Sequence, residues 1–306
     1  MLASGIAVGS RRNGIYGGWS RAGNTRVFVR VPAALKERSE HPDAFDGSGE
    51  GPKLDATPIV LVHGLTSSRA LKPLIRALGT RRPVYAPDLP GFGMSDQPIR
   101  PLDISGLADA LRRWLFDNDL APANVVGISV GSQVAVDLAV HHPAAVDRLV
   151  LVGPTFDPKG RSMTRLALRW MRNVPRWAPR LAPTVVHDFV DAGPWRSVRA
   201  LRAALGDRME RKLSRVDAPT LVVRPQRDHL VPDAWTKRVD ELIPDSQLVT
   251  LSRASHSIRP RTAARLSTLL LRFLSDGDDD LEPEKERESD ARKVESFSGA
   301  LEPAPR

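Results

Sequence analysis

Hydrophobic and polar positions follow two rhythms along most of this chain. Six short runs are apolar on both faces; they begin at Pro58, Pro83, Asn124, Arg148, Thr220 and Gln247. Such runs predict strands of a parallel sheet covered on both sides. Between them the apolar spacing shifts to three and four residues, which predicts helices over 71–78, 104–116, 130–140, 233–242 and 261–274. Strand–helix alternation of this kind predicts the α/β class: a doubly wound, mostly parallel β-sheet with right-handed crossovers. Ahead of it, 14–19 and 26–31 predict a hairpin. Val27, Val29 and Val31 alternate there with Arg26, Phe28 and Arg30, the period-2 pattern of an edge pair.

The rhythm breaks in three places. Residues 35–55 shift to Ser, Gly, Glu, Asp and Pro, the composition of a flexible connection. Between 154 and 216 the strands stop, and 163–171, 185–190 and 197–213 read as helices punctuated by Pro175, Pro179, Pro183 and Pro194. From Asp276 the chain is charged without an apolar period, which predicts a disordered, net-acidic tail. The expected organisation is therefore 1–56 (hairpin and connection), 57–154 (core, first part), 155–215 (helical insertion), 216–275 (core, second part) and 276–306 (tail).

Composition changes little in this picture. The 306 residues, 41% hydrophobic and 26% charged, suffice for one large α/β core and a small appendage. Cysteine is absent, which excludes disulfides, thiolate metal sites and a cysteine nucleophile. No stretch approaches the ~20 apolar residues that span a bilayer. Arg11-Arg12 lacks the apolar run of an export signal, so a cytoplasmic location is expected by default. The net charge of +9 comes without a nucleic-acid module, and no nucleic-acid partner is expected. Arg161, Arg165, Arg169, Arg172, Arg176 and Arg180 recur at helical spacing beside Trp170, Trp177 and Trp195. Two readings stand: a lid face for anionic lipid or substrate, or, preferred, a solvated face with the tryptophans packed on the core.

Chemistry enters at Gly127-Ile128-Ser129-Val130-Gly131, where a strand gives way to a helix. A sharp turn there pushes the serine hydroxyl clear of its neighbours, and the residues at −2 and +2 must be tiny because strand and helix nearly touch. Other segments accompany it. His63-Gly64-Leu65 follows the first apolar run, and Asp88-Leu89-Pro90-Gly91-Phe92-Gly93-Met94-Ser95-Asp96 follows the second. Arg227-Asp228-His229-Leu230-Val231-Pro232 and Ser255-His256-Ser257 close the series.

In order and spacing these segments resemble the α/β-hydrolase superfamily over about 57–276. The resemblance implies the α/β-hydrolase fold, with 155–215 as a small helical cap inserted after strand 6. It implies Ser129 as nucleophile, His256 as general base and acid, and Asp228 as the carboxylate that orients the imidazole. Asp157 is the alternative acid and His229 a substitute base. His63 orders the oxyanion loop, His141 and His142 cap a helix, and Asp88 and Asp96 are turn residues. The N–H groups of Leu65 and Val130 form the oxyanion hole. No metal or cofactor is implied.

A serine at the turn, where relatives that cleave alkyl halides or epoxides carry aspartate, points to acyl transfer. The expected function is hydrolysis of a carboxylic ester, with C–C bond hydrolase, iminopeptidase, lactonase, acyltransferase or a non-catalytic binding protein as alternatives. Met163, Leu166, Leu168, Met171 and Val174 favour a small-molecule substrate with an apolar moiety. The pattern departs from the usual one at Ile128, Ser132 and Ser255.

Overall fold

The computed structural model describes residues 6–40, 56–165, 168–169 and 194–275. Among them nine strands form one sheet: β1 (Ala7–Arg12), β2 (Ile15–Ala22), β3 (Thr25–Pro32), β4 (Ile59–Val62), β5 (Val84–Pro87), β6 (Ala123–Ile128), β7 (Val146–Val152), β8 (Thr220–Pro225) and β9 (Ser246–Leu251). The spatial order is β1-β2-β3-β5-β4-β6-β7-β8-β9. Neighbours from β5 through β9 are parallel, and β1–β3 add an antiparallel flank. The doubly wound, mostly parallel sheet read from the sequence is the one observed.

The helices among the described residues include α1 (Ala33–Glu40), α2 (Lys72–Gly79), α3 (Ile104–Asp117), α4 (Gly131–His141), α5 (Pro194–Gly206), α6 (Asp233–Leu242) and α7 (Pro260–Phe273). α3 packs on α4, and α2 packs on α7. α3 shows why such segments fold as they do. Asp103 caps its first turn by accepting from the Gly106 N–H at 2.8 Å. Ile104, Leu107, Ala108, Leu111, Trp114 and Leu115 then form one buried face. Every residue of β4, β5 and β6 is buried, the mark of a parallel sheet covered on both sides.

Several elements differ from expectation. β1 was not anticipated, because Ala7–Arg12 is polar and shows no alternation. It makes β1 the sheet edge and places β3 in the interior, between β2 and β5. β3 is accordingly buried on both faces from Val27 on, and Arg30 lies inside. Residues 35–40, the start of the segment read as a flexible connection, belong to α1, anchored by the buried Leu35. β9 is not the fully buried strand expected; it closes the other edge and is mostly half-exposed. The helix expected over 197–213 stops at Gly206 and continues as two short 3₁₀ turns. Of the helix expected over 163–171, residues 163–165 and 168–169 are helical; its remainder, the helix expected over 185–190 and the acidic tail lie outside the described residues.

Candidate active site

Parallel register brings the chemistry together. Val62 pairs with Gly127, Ile128 with Val152, and Val152 with Val223. Four strands therefore end at one level, and the loops that follow them converge at the C-terminal edge of the sheet. Ligands of open α/β sheets bind at this edge.

Ser129 takes a left-handed backbone conformation, φ +58°, which non-glycine residues adopt only where the surroundings enforce it. Enforcement comes from both sides. A Cβ on Gly127 would lie 2.7 Å from the Gly131 carbonyl and 2.9 Å from Ala135 Cβ. One on Gly131 would strike the Val62 carbonyl and lie 2.6 Å from that of His63. The turn is thus wedged between β4 and its own helix, with the Ser129 N–H bonded to the Val152 carbonyl at 2.9 Å. Ser132, unusual in the motif, is buried and donates its hydroxyl to the Gly127 carbonyl at 2.9 Å, closing the turn from inside.

Ser129 Oγ lies 3.0 Å from His256 Nε2, and His256 Nδ1 lies 2.6 Å from Asp228 Oδ2. The three groups come from the loops after β6, β9 and β8. Those after β8 and β9 are laced together: Gln226 N–H donates to the Leu251 carbonyl, Arg227 N–H to that of Ala254, and Arg253 N–H to Gln226 Oε1. Asp228 is buried, and its other oxygen accepts from the Leu230 N–H at 2.8 Å. Gly153 makes room beneath the pair; at φ +55° a Cβ there would lie 3.3 Å from Asp228 Oδ2 and 3.7 Å from His256 Nδ1. Burial by itself would lower the His256 pKa. The Asp228 charge and hydrogen bond outweigh it and hold the imidazole above its ordinary value.

The loop after β4 runs beside the hydroxyl, since a Cβ on Gly64 would lie 3.2 Å from Ser129 Cβ and 3.5 Å from Oγ. Among the described residues, the N–H groups of Leu65 and Val130 have no backbone acceptor. His63 is buried and fixes this loop. Its Nε2 accepts from the Leu89 N–H at 2.9 Å, leaving Nδ1 to donate to the Gly64 carbonyl at 2.8 Å.

The alternatives are placed elsewhere. Asp157 pairs with Arg169, and it is Asp228 that meets His256. His229 is exposed. His141 bonds to Asp137 within α4, and His142, the helix C-cap, to Asp109. Asp96 bonds to Arg26 and its backbone, and Asp88 is a buried hub discussed below. His41 and His187 lie outside the described residues. Of the arginine stripe, Arg161 pairs with Glu210 and Arg169 with Asp157, so these two do not form the solvated face expected. Arg172, Arg176, Arg180, Trp170 and Trp177 lie outside the described residues. Met163 and Leu168 are exposed. No group of three or more His, Asp or Glu side chains among the described residues is arranged to hold a metal ion. No helix among them is long and apolar enough to cross a membrane.

The family model for the alpha/beta hydrolase fold matches residues 57–189. The protein has the α/β-hydrolase fold. Over 149 residues the chain is 32% identical to the (lyso)-N-acylphosphatidylethanolamine lipase of Bos taurus, a match that covers 46% of this chain and 43% of that one. Over 269 residues it is 27% identical to the pimeloyl-(acyl-carrier protein) methyl ester esterase of Neisseria meningitidis serogroup B, covering 79% of this chain and 98% of the other. The enol-lactonase of Burkholderia xenovorans LB400 superposes with a TM-score of 0.65 at 22% identity, covering 84% and 99%. Several curated relatives, the bovine lipase among them, are matched over less than half their length.

Proposed function

We propose that the protein is a serine hydrolase that cleaves a carboxylic ester through an acyl-enzyme on Ser129. The observation that carries this is the unbroken line from Ser129 Oγ to His256 Nε2 at 3.0 Å and from His256 Nδ1 to Asp228 at 2.6 Å. Oγ attacks the ester carbonyl as Nε2 takes its proton, and the imidazolium so formed is stabilised by the Asp228 carboxylate. The carbonyl oxygen, now an anion, accepts from the N–H groups of Leu65 and Val130. Nε2 returns the proton to the departing alkoxide as the C–O bond breaks. Water, deprotonated by Nε2, then attacks the acyl-enzyme and releases the acid.

Two of the relatives similar in sequence support an ester bond, while a haloalkane dehalogenase of Mycobacterium marinum is similar as well. A methyl ester esterase and a lipase are similar in sequence, and a lactonase is similar in fold. Exposed Met163 and Leu168 at the start of the insertion suit an apolar acyl or alcohol portion.

Turnover of p-nitrophenyl esters of graded acyl length tests the reading. The wild type is expected to hydrolyse at least one, and Ser129→Ala to lose at least about 10³-fold in kcat. Equal turnover by the two proteins would contradict it.

A further inference from the structure

A buried ion pair, Arg30 with Asp88, lies outside the hydrogen-bonded line of Ser129, His256 and Asp228 and contacts the loop that carries Leu65. The segment from His63 to Ser68 is fastened at both ends to the segment that follows β5. At one end His63 Nε2 accepts from the Leu89 N–H. At the other, Asp88 Oδ1 accepts from the Ser68 N–H at 2.7 Å and from the Ser68 hydroxyl at 2.6 Å. Asp88 Oδ2 accepts from the Met94 N–H at 3.0 Å, so one carboxylate gathers both loops.

Asp88 is fully buried, and a buried carboxylate needs a cation. Arg30 supplies it. The guanidinium reaches across from β3, 5% exposed, placing Nη1 2.9 Å from Asp88 Oδ1 and in contact with Ser68 Oγ as well. Its Cζ lies over the Phe28 ring, 4.8 Å from the centroid. Without the guanidinium the cluster holds a lone buried anion, and relief comes from rearrangement of the groups around it, Ser68 first. Only Thr66 and Ser67 lie between Ser68 and Leu65.

We infer that Arg30 is a positioning residue: through Asp88 and Ser68 it sets the placement of the Leu65 N–H beside Ser129. The inference rests on the reading of that N–H as an oxyanion donor. A donor used only in the transition state affects kcat and leaves KM nearly unchanged when it moves.

The test compares Arg30→Met and Arg30→Lys with the wild type, and uses Arg26→Met as control. Arg26 lies on the same strand and bonds to Asp96 in the same loop, but at an exposed position. Two readouts are taken: deuterium uptake of a peptide spanning 63–68, and kcat and KM on a p-nitrophenyl ester. In Arg30→Met the peptide should exchange faster, and kcat should fall about 10- to 100-fold, the scale of an ångström-sized misplacement. KM should stay within about threefold. Arg30→Lys should fall between Arg30→Met and wild type, and Arg26→Met should match wild type. Wild-type exchange and kcat in both Arg30 variants would overturn the inference, as would a rise in KM at constant kcat. Should Arg30→Met not fold, a folded Arg30→Lys with wild-type exchange and kcat overturns it alone. A wild type that turns over no ester overturns the Ser129 chemistry and the positioning role together. Normal wild-type turnover with an indifferent Arg30→Met overturns the positioning role only.

Discussion

A serine hydroxyl is a weak nucleophile, so under the proposed reaction the residue that decides whether Ser129 reacts is the imidazole 3.0 Å away. His256 acts as a base only when neutral. Its pKa is raised, against the effect of burial, by the Asp228 charge and hydrogen bond. Activity should therefore rise with pH through a midpoint above the ordinary imidazole value of about 6.5. In Asp228→Asn the charge is gone and burial remains, so the midpoint in kcat/KM should move to lower pH. The plateau should fall by about 10²–10⁴-fold, because the tautomer is no longer fixed. A midpoint unmoved by that substitution would mean that His256 is not the titrating base. The same raised pKa has a stability consequence of defined sign. The pair contributes most below the unfolded imidazole pKa, and its contribution is lost as pH rises through the folded value. At this scale the motif made Ser129, His256 and Asp228 legible. Arg30 was not: on a strand of alternating Val and Arg it reads as the wet half of the pattern, and only the partner Asp88, distant in sequence, takes it inside.

Elements place these residues, and the tightest is the turn from β6 into α4. Gly131→Ala would drive a methyl into the Val62 and His63 carbonyls, backbone that has no room to retreat. Strain of this kind in a packed core costs about 1–3 kcal/mol or more, and urea unfolding of Gly131→Ala should show at least that loss. Ser132→Ala removes only the hydrogen bond to the Gly127 carbonyl and should cost about 1 kcal/mol. Wild-type stability in Gly131→Ala would mean that β4 and α4 do not approach as described. The inner strands of the parallel sheet, β4 to β8, could be read in advance because burial on both faces forces an apolar run. β1 could not, since a polar edge strand is specified by its partner β2 and not by its own sequence. Nor could α1, a charged segment whose helix is fixed by one deeply buried side chain, Leu35.

The insertion returns to the core through a cluster of charges. Lys212 bonds to Asp137 of α4 and, at 2.5 Å, to Asp207, while Gln133 Nε2 donates to the Ala204 carbonyl of α5 at 2.9 Å. Burial pushes the Asp207 carboxyl up despite its lysine partner. Burial would lower the Lys212 ammonium, but its two carboxylate partners hold it above the usual value. The helix that begins just after Ser129 thus carries, on successive turns, Gln133 and Asp137, the anchors of the returning chain. Lys212→Met would remove the ammonium that bridges Asp137 and Asp207, and should lower stability by about 1–3 kcal/mol in urea unfolding. That this insertion sits between β7 and β8 was legible from the loss of the strand rhythm. Its ion pairs were not, because residues far apart in sequence form them.

The whole molecule exists, on this view, to bring three side chains from three loops to one edge of the sheet. Intact-mass analysis after exposure to a fluorophosphonate tests that most directly. One adduct per chain is expected, mapping to Ser129, absent in Ser129→Ala and greatly slowed in His256→Ala. No adduct on the folded wild type, or an adduct retained by Ser129→Ala, would contradict it.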